Sequence, residues 1–351
     1  MAAIALVSVN AQNLNKIKDA LTANKLGEAK TAIEALLASP KNQKNPEIYY
    51  LKGKVLSAIA ANPAERAAMP ESRMQSLESF KKALEIDKNQ TTLFLTVDNY
   101  QPVFSLYSSG FEEGAAYYNG EKFEDALTTF KSTGVIGDYI FSQGWGLYKL
   151  DTTLTYYMGL SALNAKKEDE AIGLFKKLAD ANVGGSSDMA TPYRYLAKHY
   201  YDKKDEANMN NYIGLGLKLF PKDDYLPLLA LDHVREKGDV NAVLKKFEEL
   251  LAINPESFDL TFEYAGELFG ETHVSDASKR PADYTERCKK IENLYVKALS
   301  LKPDSYETML SMGKHFYNQL LFIEEDIYKI KGTKPEDVKK KADLTANLDA
   351  M

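Results

Sequence analysis

From Gly110 to Thr133 the chain reads GFEEGAAYYNGEKFEDALTTFKST, and one set of spacings inside it limits what can be built. Gly114 is followed three residues later by Tyr117, twelve later by Ala126 and sixteen later by Phe130, with Asn119-Gly120 between two helical patterns. That dipeptide is a turn signal, so the stretch predicts two antiparallel helices. A small residue lets the helices approach, and the ring sixteen places on fills the space between them. The spacing recurs. Gly159 is followed at twelve and sixteen by Ala171 and Phe175, Ala197 by Met209 and Ile213, and Leu231 by Val243 and Phe247. Pro221 and Pro255 stand 34 residues apart, each placed to end a second helix because proline cannot continue one.

This pattern resembles the tetratricopeptide repeat, whose period is 34 residues. The resemblance implies an all-α fold, a right-handed α-α superhelical solenoid of helix pairs with insertions. It also implies a groove. In such solenoids the first helix of each pair lines the concave face, and the residues three before, one after and four after the small-residue place point into it. Here these are Phe111, Ala115 and Tyr118; Tyr156, Leu160 and Leu163; Arg194, Lys198 and Tyr201; Leu228, Asp232 and Arg235; Glu263, Glu267 and Gly270. Domains of this family that hold a chaperone's terminal carboxylate carry Lys and Asn at the first two places. Phe-Ala, Tyr-Leu and Arg-Lys stand there in this chain, which argues against that role. Tyr118, Tyr156, Arg194, Lys198 and Tyr201 form the expected anchor cluster, since Tyr and Arg carry much of the energy at interfaces.

In chain order, the apolar run Ala2 to Val9 and Asn10-Ala11 before Gln12 look like the core and cleavage site of a secretory signal, without the usual positive start. Residues 1–11 are therefore expected to be a signal-peptide remnant and the protein to be exported, in a periplasm. Residues 12–133 read as N-terminal helix pairs with an inserted loop near 62–70, because Ser76 follows Gly53 by 23 residues instead of 12. Pro102 is expected to start the helix that leads into Gly114. Residues 134–150, with four glycines and Trp145, read as a Gly-rich connection with Trp145 packed on the helices. Residues 151–330 hold C-terminal pairs restarting at Gly266 and Gly313, with an inserted loop near 273–283. Residues 331–351 read as the start of a further, truncated pair. The combination resembles exported tetratricopeptide proteins of Bacteroidota-type bacteria.

Chemistry is hard to find in the sequence. The Gly-rich stretch lacks the spacing of a phosphate loop, and no H-E-x-x-H, C-x-x-C or G-x-S-x-G pattern occurs. The net charge of −6 is spread along the chain, whereas nucleic-acid binding needs clustered Lys and Arg. No apolar run approaches the roughly 20 residues that span a bilayer. The single cysteine, Cys288, excludes an internal disulfide and has no histidine near it in sequence. His199, His233 and His315 each fall two residues after a small-residue place and so appear equivalent, but stacked helices lie about 8–10 Å apart, too far for a shared metal. No catalytic residue, cofactor or metal is expected. The sequence reads as a non-catalytic scaffold for a protein or peptide partner, with a glycan- or small-ligand-binding accessory protein as the alternative.

Overall fold

The computed structural model describes residues 2–146, 148–276 and 279–350. Among these residues there are eighteen α-helices and no strand. The chain divides into two compact units, residues 1–183 and 184–351. The first unit contains α1 (Ala2–Thr22), α2 (Leu26–Leu37), α3 (Pro46–Ala61), α4 (Pro63–Ala68), α5 (Ser72–Ile86), α6 (Lys88–Val97), α7 (Gln101–Asn119), α8 (Phe123–Ser142), α9 (Thr152–Asn164) and α10 (Glu168–Asp180). Its pairs are α1/α2, α3/α5, α7/α8 and α9/α10. The second unit contains α11 (Thr191–Asp202), α12 (Glu206–Leu219), α13 (Tyr225–Arg235), α14 (Val240–Ile253), α15 (Phe258–Thr272), α16 (Tyr284–Leu301), α17 (Tyr306–Lys329) and α18 (Pro335–Ala350), paired in that order.

Local chemistry sets the helix ends. The side chains of Asn45, Asp87, Asp151, Asp205, Asp239, Ser257 and Ser305 each accept a hydrogen bond from a backbone N–H in the first turn of the helix they precede. That satisfies donors which have no partner inside the helix. Pro102 lies in the first turn of α7, where a missing N–H costs nothing. Pro221, Pro255 and Pro303 each stand two residues beyond the end of a second helix.

Four turns inside pairs share one form. Asn24, Glu121, Lys166 and Lys204 have φ between 55° and 60°. The next residue's N–H then reaches back five residues to a carbonyl, as in Lys122 to Tyr117 at 2.9 Å and Lys167 to Ala162 at 2.8 Å. The Asn119-Gly120 signal places one such turn, but the left-handed residue is Glu121, and Gly120 has φ −88°.

The small-residue rule holds most sharply in the first unit. A Cβ on Gly114 would sit 2.5 Å from the Phe130 ring, one on Gly53 would sit 2.6 Å from Phe80, and one on Gly159 would strike Phe175. All three rings are fully buried. The 62–70 insertion is largely α4, tied down by Arg66, whose Nε lies 2.7 Å from Glu113; Arg73 Nη1 meets the other oxygen of Glu113 at 2.7 Å.

Several expectations need correction. Residues 134–142 of the expected Gly-rich connection belong to α8. Each glycine in a helix costs about 1 kcal/mol, but Thr133, Ile136 and Ile140 form a fully buried stripe that holds the helix together. The division between units falls at Val183–Gly184, after α10. Residues 335–350 are the second helix of the pair begun by α17, because α17 runs for 24 residues and displaces its partner along the chain. Gly266 and Gly313 are exposed, with nothing near a Cβ at either, while Ala265 and His315 are fully buried. Groove places counted from Gly266 therefore lose their register. The backbone of residues 2–11 is continuous with the rest of α1; Met1 and the side chains of the expected signal remnant 1–11 lie outside the described residues.

Phe130→Ala should cost about 3–5 kcal/mol, and Gly114→Val about 1–3 kcal/mol by overpacking. Combining Gly114→Ala with Phe130→Leu should cost clearly less than the sum of the two single changes. Urea unfolding of the wild type, Gly114→Ala, Phe130→Leu and the double variant checks this, and strict additivity would show that the two residues do not share one space.

Candidate functional site

Each member of the expected anchor cluster proves to have a partner within its own unit. Tyr118 packs edge-on against Phe123 and Tyr157 and accepts a hydrogen bond from Asn164 Nδ2 at 3.3 Å. Burial raises its pKa. Tyr156 is 9% exposed and rests on Tyr157, so it is core and not a groove contact.

In the second unit Arg194 donates from Nε to Asp223 at 2.7 Å and from Nη2 to Asp224 at 3.4 Å. Asp223 is buried and its other oxygen accepts from the backbone N–H of Tyr225 and Leu226 at 3.0 and 2.9 Å. Arg194 thus neutralises the carboxylate that starts α13. Lys198 is spanned by Asp202 at 2.6 Å and lies 5.4 Å from the Tyr201 ring centre. The Tyr201 hydroxyl donates to Glu236 at 2.5 Å, a bond that pushes its pKa up to about 12. Arg194, Lys198 and Tyr201 share one face of α11, but the neighbouring acids cancel the positive charge read from the sequence. Arg235 likewise meets Glu267 at 3.0 Å and Glu263 at 3.7 Å.

Trp145 lies between Tyr100 and Tyr139, with ring centres 5.2 and 5.8 Å away. It is packed as expected, so it offers no open stacking platform for a sugar. A cleft of about 490 Å³ lies on the face of α1 and α3, walled by α6 and lined by Leu21, Leu51, Phe94 and the mostly buried pair Lys54–Asp98. Burial pushes the Asp98 carboxyl upward, but hydrogen bonds from Lys54 and Tyr50 outweigh it and hold the pKa below the usual value.

The largest feature missed by sequence reasoning is on α17. Tyr306, Leu310, Tyr317, Leu321 and Tyr328 are 73%, 45%, 62%, 40% and 77% exposed. At about 100° per residue they fall within one stripe roughly 33 Å long. The buried residues Thr308 and His315 lie on the opposite side. The signal was readable: the three tyrosines recur every eleven residues.

The histidines also fall differently from the sequence expectation. His315 is fully buried, and its partner is His273, with Nε2 of His273 2.8 Å from Nδ1 of His315. Cys288, far from both in sequence, is buried beside them, and the three ligating atoms lie within 4.8 Å of one another. The equivalence with His199 and His233 fails because it was counted from the exposed Gly313.

No family model and no curated protein matches the chain. Among solved structures it is similar to YrrB, described as a tetratricopeptide protein with an unusual peptide-binding site, at 14% identity over 66% of this chain and 96% of that one, with a TM-score of 0.32. It is similar to a tetratricopeptide repeat protein from Parabacteroides merdae at 13% identity, over 87% and 98% of the two chains, with a TM-score of 0.24. For yeast Tom70 the values are 16%, 96%, 80% and 0.31. Likenesses this distant carry no weight on function. The chain's own contacts from Gly53, Gly114 and Gly159 to their phenylalanines make it an all-α protein built of antiparallel helix pairs.

Asp223→Ala should destabilise the second unit by about 1–3 kcal/mol, because it removes the acceptor for two N–H groups and leaves Arg194 without its main partner. Asp224→Ala, at an 85% exposed side chain, should change stability by less than about 0.5 kcal/mol. Equal effects in urea unfolding would show that Arg194 and Asp223 are not the structural pair.

Proposed function

We propose that this protein is a non-catalytic interaction scaffold that binds a protein partner, and that it works in the bacterial cell envelope. The observation that carries the reading is the α17 stripe. Exposed apolar residues scattered singly are ordinary, but five large ones on a single helix face mark a contact surface. Tyrosine suits such a surface, since it combines large apolar area with few rotatable bonds and a polar tip. The occupant this geometry favours is an amphipathic helix laid along α17, anchored by apolar residues at helical spacing. The cleft beside α6 is a second place on the scaffold where a peptide's apolar side chain fits. Trp145 is packed between Tyr100 and Tyr139, and Tyr118 and Tyr201 are hydrogen-bonded, so the residues first expected to stack on a sugar speak less for the glycan-binding alternative than the apolar stripe speaks for a protein partner.

A photo-cross-linking residue at Tyr317 should capture the partner in cells, and the same residue at Lys339 should not. Tyr317→Glu combined with Leu321→Glu should abolish capture by the same cross-linking residue placed at Tyr306, while leaving the far-ultraviolet circular dichroism unchanged. Cross-links that persist in the double variant would place the partner elsewhere.

The envelope reading rests on the apolar run before Gln12. N-terminal sequencing of the protein recovered from its own cells should start at Gln12. A chain that retains Ala2 would overturn export by this signal.

A further inference from the structure

We propose that His273, Cys288 and His315 form a site for one zinc-type divalent ion, bound through His273 Nε2, His315 Nδ1 and Cys288 Sγ. Three separate elements supply the ligands: His273 from the end of α15, Cys288 from the first turns of α16 and His315 from the middle of α17. The ligating atoms already lie within 4.8 Å of one another.

The donor set suits the ion. Two imidazoles and one thiolate match zinc, whose bonds are about 2.0–2.1 Å to nitrogen and 2.3 Å to sulfur. Tetrahedral angles then require about 3.3 Å between the nitrogens and about 3.6 Å from each nitrogen to the sulfur. The nitrogens are 2.8 Å apart, so they must open by roughly 0.5 Å, and the sulfur, within 4.8 Å of a ring nitrogen of each histidine, must close by about 1.2 Å at most. His273 can supply this movement because it stands at the residue that ends α15 and is not held in a helix on its far side.

What distinguishes this trio from a chance contact is the support behind the ligands. The nitrogen of His315 that faces away from the site, Nε2, meets Gln319 at 2.6 Å and the Glu292 carboxylate at 3.6 Å. The Gln319 amide nitrogen is a donor and also bonds Glu292 at 3.0 Å, so a metal on Nδ1 requires that amide to turn its oxygen toward a protonated Nε2. A polar partner behind a histidine, here Gln319 backed by Glu292, is the usual device for fixing the ring and its tautomer at a metal. Nδ1 of His273 faces the Tyr284 hydroxyl at 3.4 Å. Both rings thus present one nitrogen to the site and have the other engaged. Phe269 and Phe322 pack against His273, with ring centres 4.7 and 5.8 Å away, and cover part of its ring.

Binding exchanges the Cys288 S–H proton for the ion, and that proton leaves to solvent. Zinc with one thiolate carries one net positive charge, which Glu292 balances. The nearby Arg280 guanidinium is itself paired with Glu325 and Asp326, so it adds little repulsion. Three protein ligands leave the fourth position for a water-sized ligand. The ion would join α15, α16 and α17 at one point.

The test uses the untagged full chain, reduced and stripped with chelator, and titrated with cobalt(II) and then zinc(II). One cobalt per chain should bind, with tetrahedral visible bands and a thiolate-to-cobalt charge-transfer band in the near ultraviolet. Zinc should abolish both and raise the melting temperature. Cys288→Ser should lose the charge-transfer band, His199→Gln should retain it, and Glu292→Gln should weaken zinc binding about 10–100-fold. Those wild-type readings need no variant to fold. A cobalt spectrum without thiolate charge transfer, or zinc that leaves the melting temperature unchanged, would overturn the site.

Discussion

The contact between a glycine on the first helix and a phenylalanine on the second governs how the first unit is assembled. Without a Cβ at Gly53, Gly114 or Gly159, the ring of Phe80, Phe130 or Phe175 lies directly on the facing backbone. The helices then sit closer than larger side chains would permit, and a fully buried ring fills the seam. The second unit solves the same problem with other residues. Ala197 faces a pair completed by Ile213, and Gly216 moves the glycine to the second helix, where a Cβ would meet Leu226 and the Cβ of Tyr193. In α13 the place is held by Leu231, which is fully buried together with Phe247. The pair survives these changes because what is conserved in the physics is the volume of the seam, shared between two facing positions.

That division explains which parts of the fold were legible. Pairs with a glycine and a phenylalanine sixteen residues apart can be counted directly from the sequence, and in the second unit prolines mark the ends of α12, α14 and α16. The count misleads where glycine is present for no steric reason. Gly266 and Gly313 invite a register, yet the helices turn Ala265 and His315 inward. A glycine in sequence is only permission for a close approach; the approach itself is decided by the partner ring. The α8 helix shows the converse error. Gly134 and Gly137 suggest a loop, but Thr133, Ile136 and Ile140 recur at helical spacing and their burial outweighs the local preference of two glycines.

The anchor cluster was only partly legible for a different reason. Position within a helix pair gave the face on which Arg194, Lys198 and Tyr201 lie, but it could not give their neighbours. Asp202 is one turn along the same helix and was readable as an i, i+4 partner of Lys198. Asp223, Asp224 and Glu236 arrive from the next pair, 29 to 35 residues away, and only stacking brings them in. A basic character read from one helix was therefore cancelled by its successor. The same long-range stacking assembles His273, Cys288 and His315 from three elements that share no local motif.

The two features of α17 are linked through helix geometry. His315 is on the buried face, and the stripe from Tyr306 to Tyr328 lies about half a turn around the axis from it. The tyrosines return every eleven residues, which is three turns plus only about 20°. Over the two repeats from Tyr306 to Tyr328 the stripe drifts by only about 40°, so it stays on one side of a straight helix for its whole length. Its usefulness as a surface therefore depends on α17 remaining straight and fixed against α16. Thr308 and His315 supply the buried attachment near the start and middle of the helix, and Gln319, bonded to Glu292 at 3.0 Å, extends it by one turn. Beyond that point Arg280 holds Glu325 and Asp326 from the loop before α16. His315 lies behind the middle of the stripe, so the buried attachment is nearest Tyr317 and furthest from the outer tyrosines Tyr306 and Tyr328.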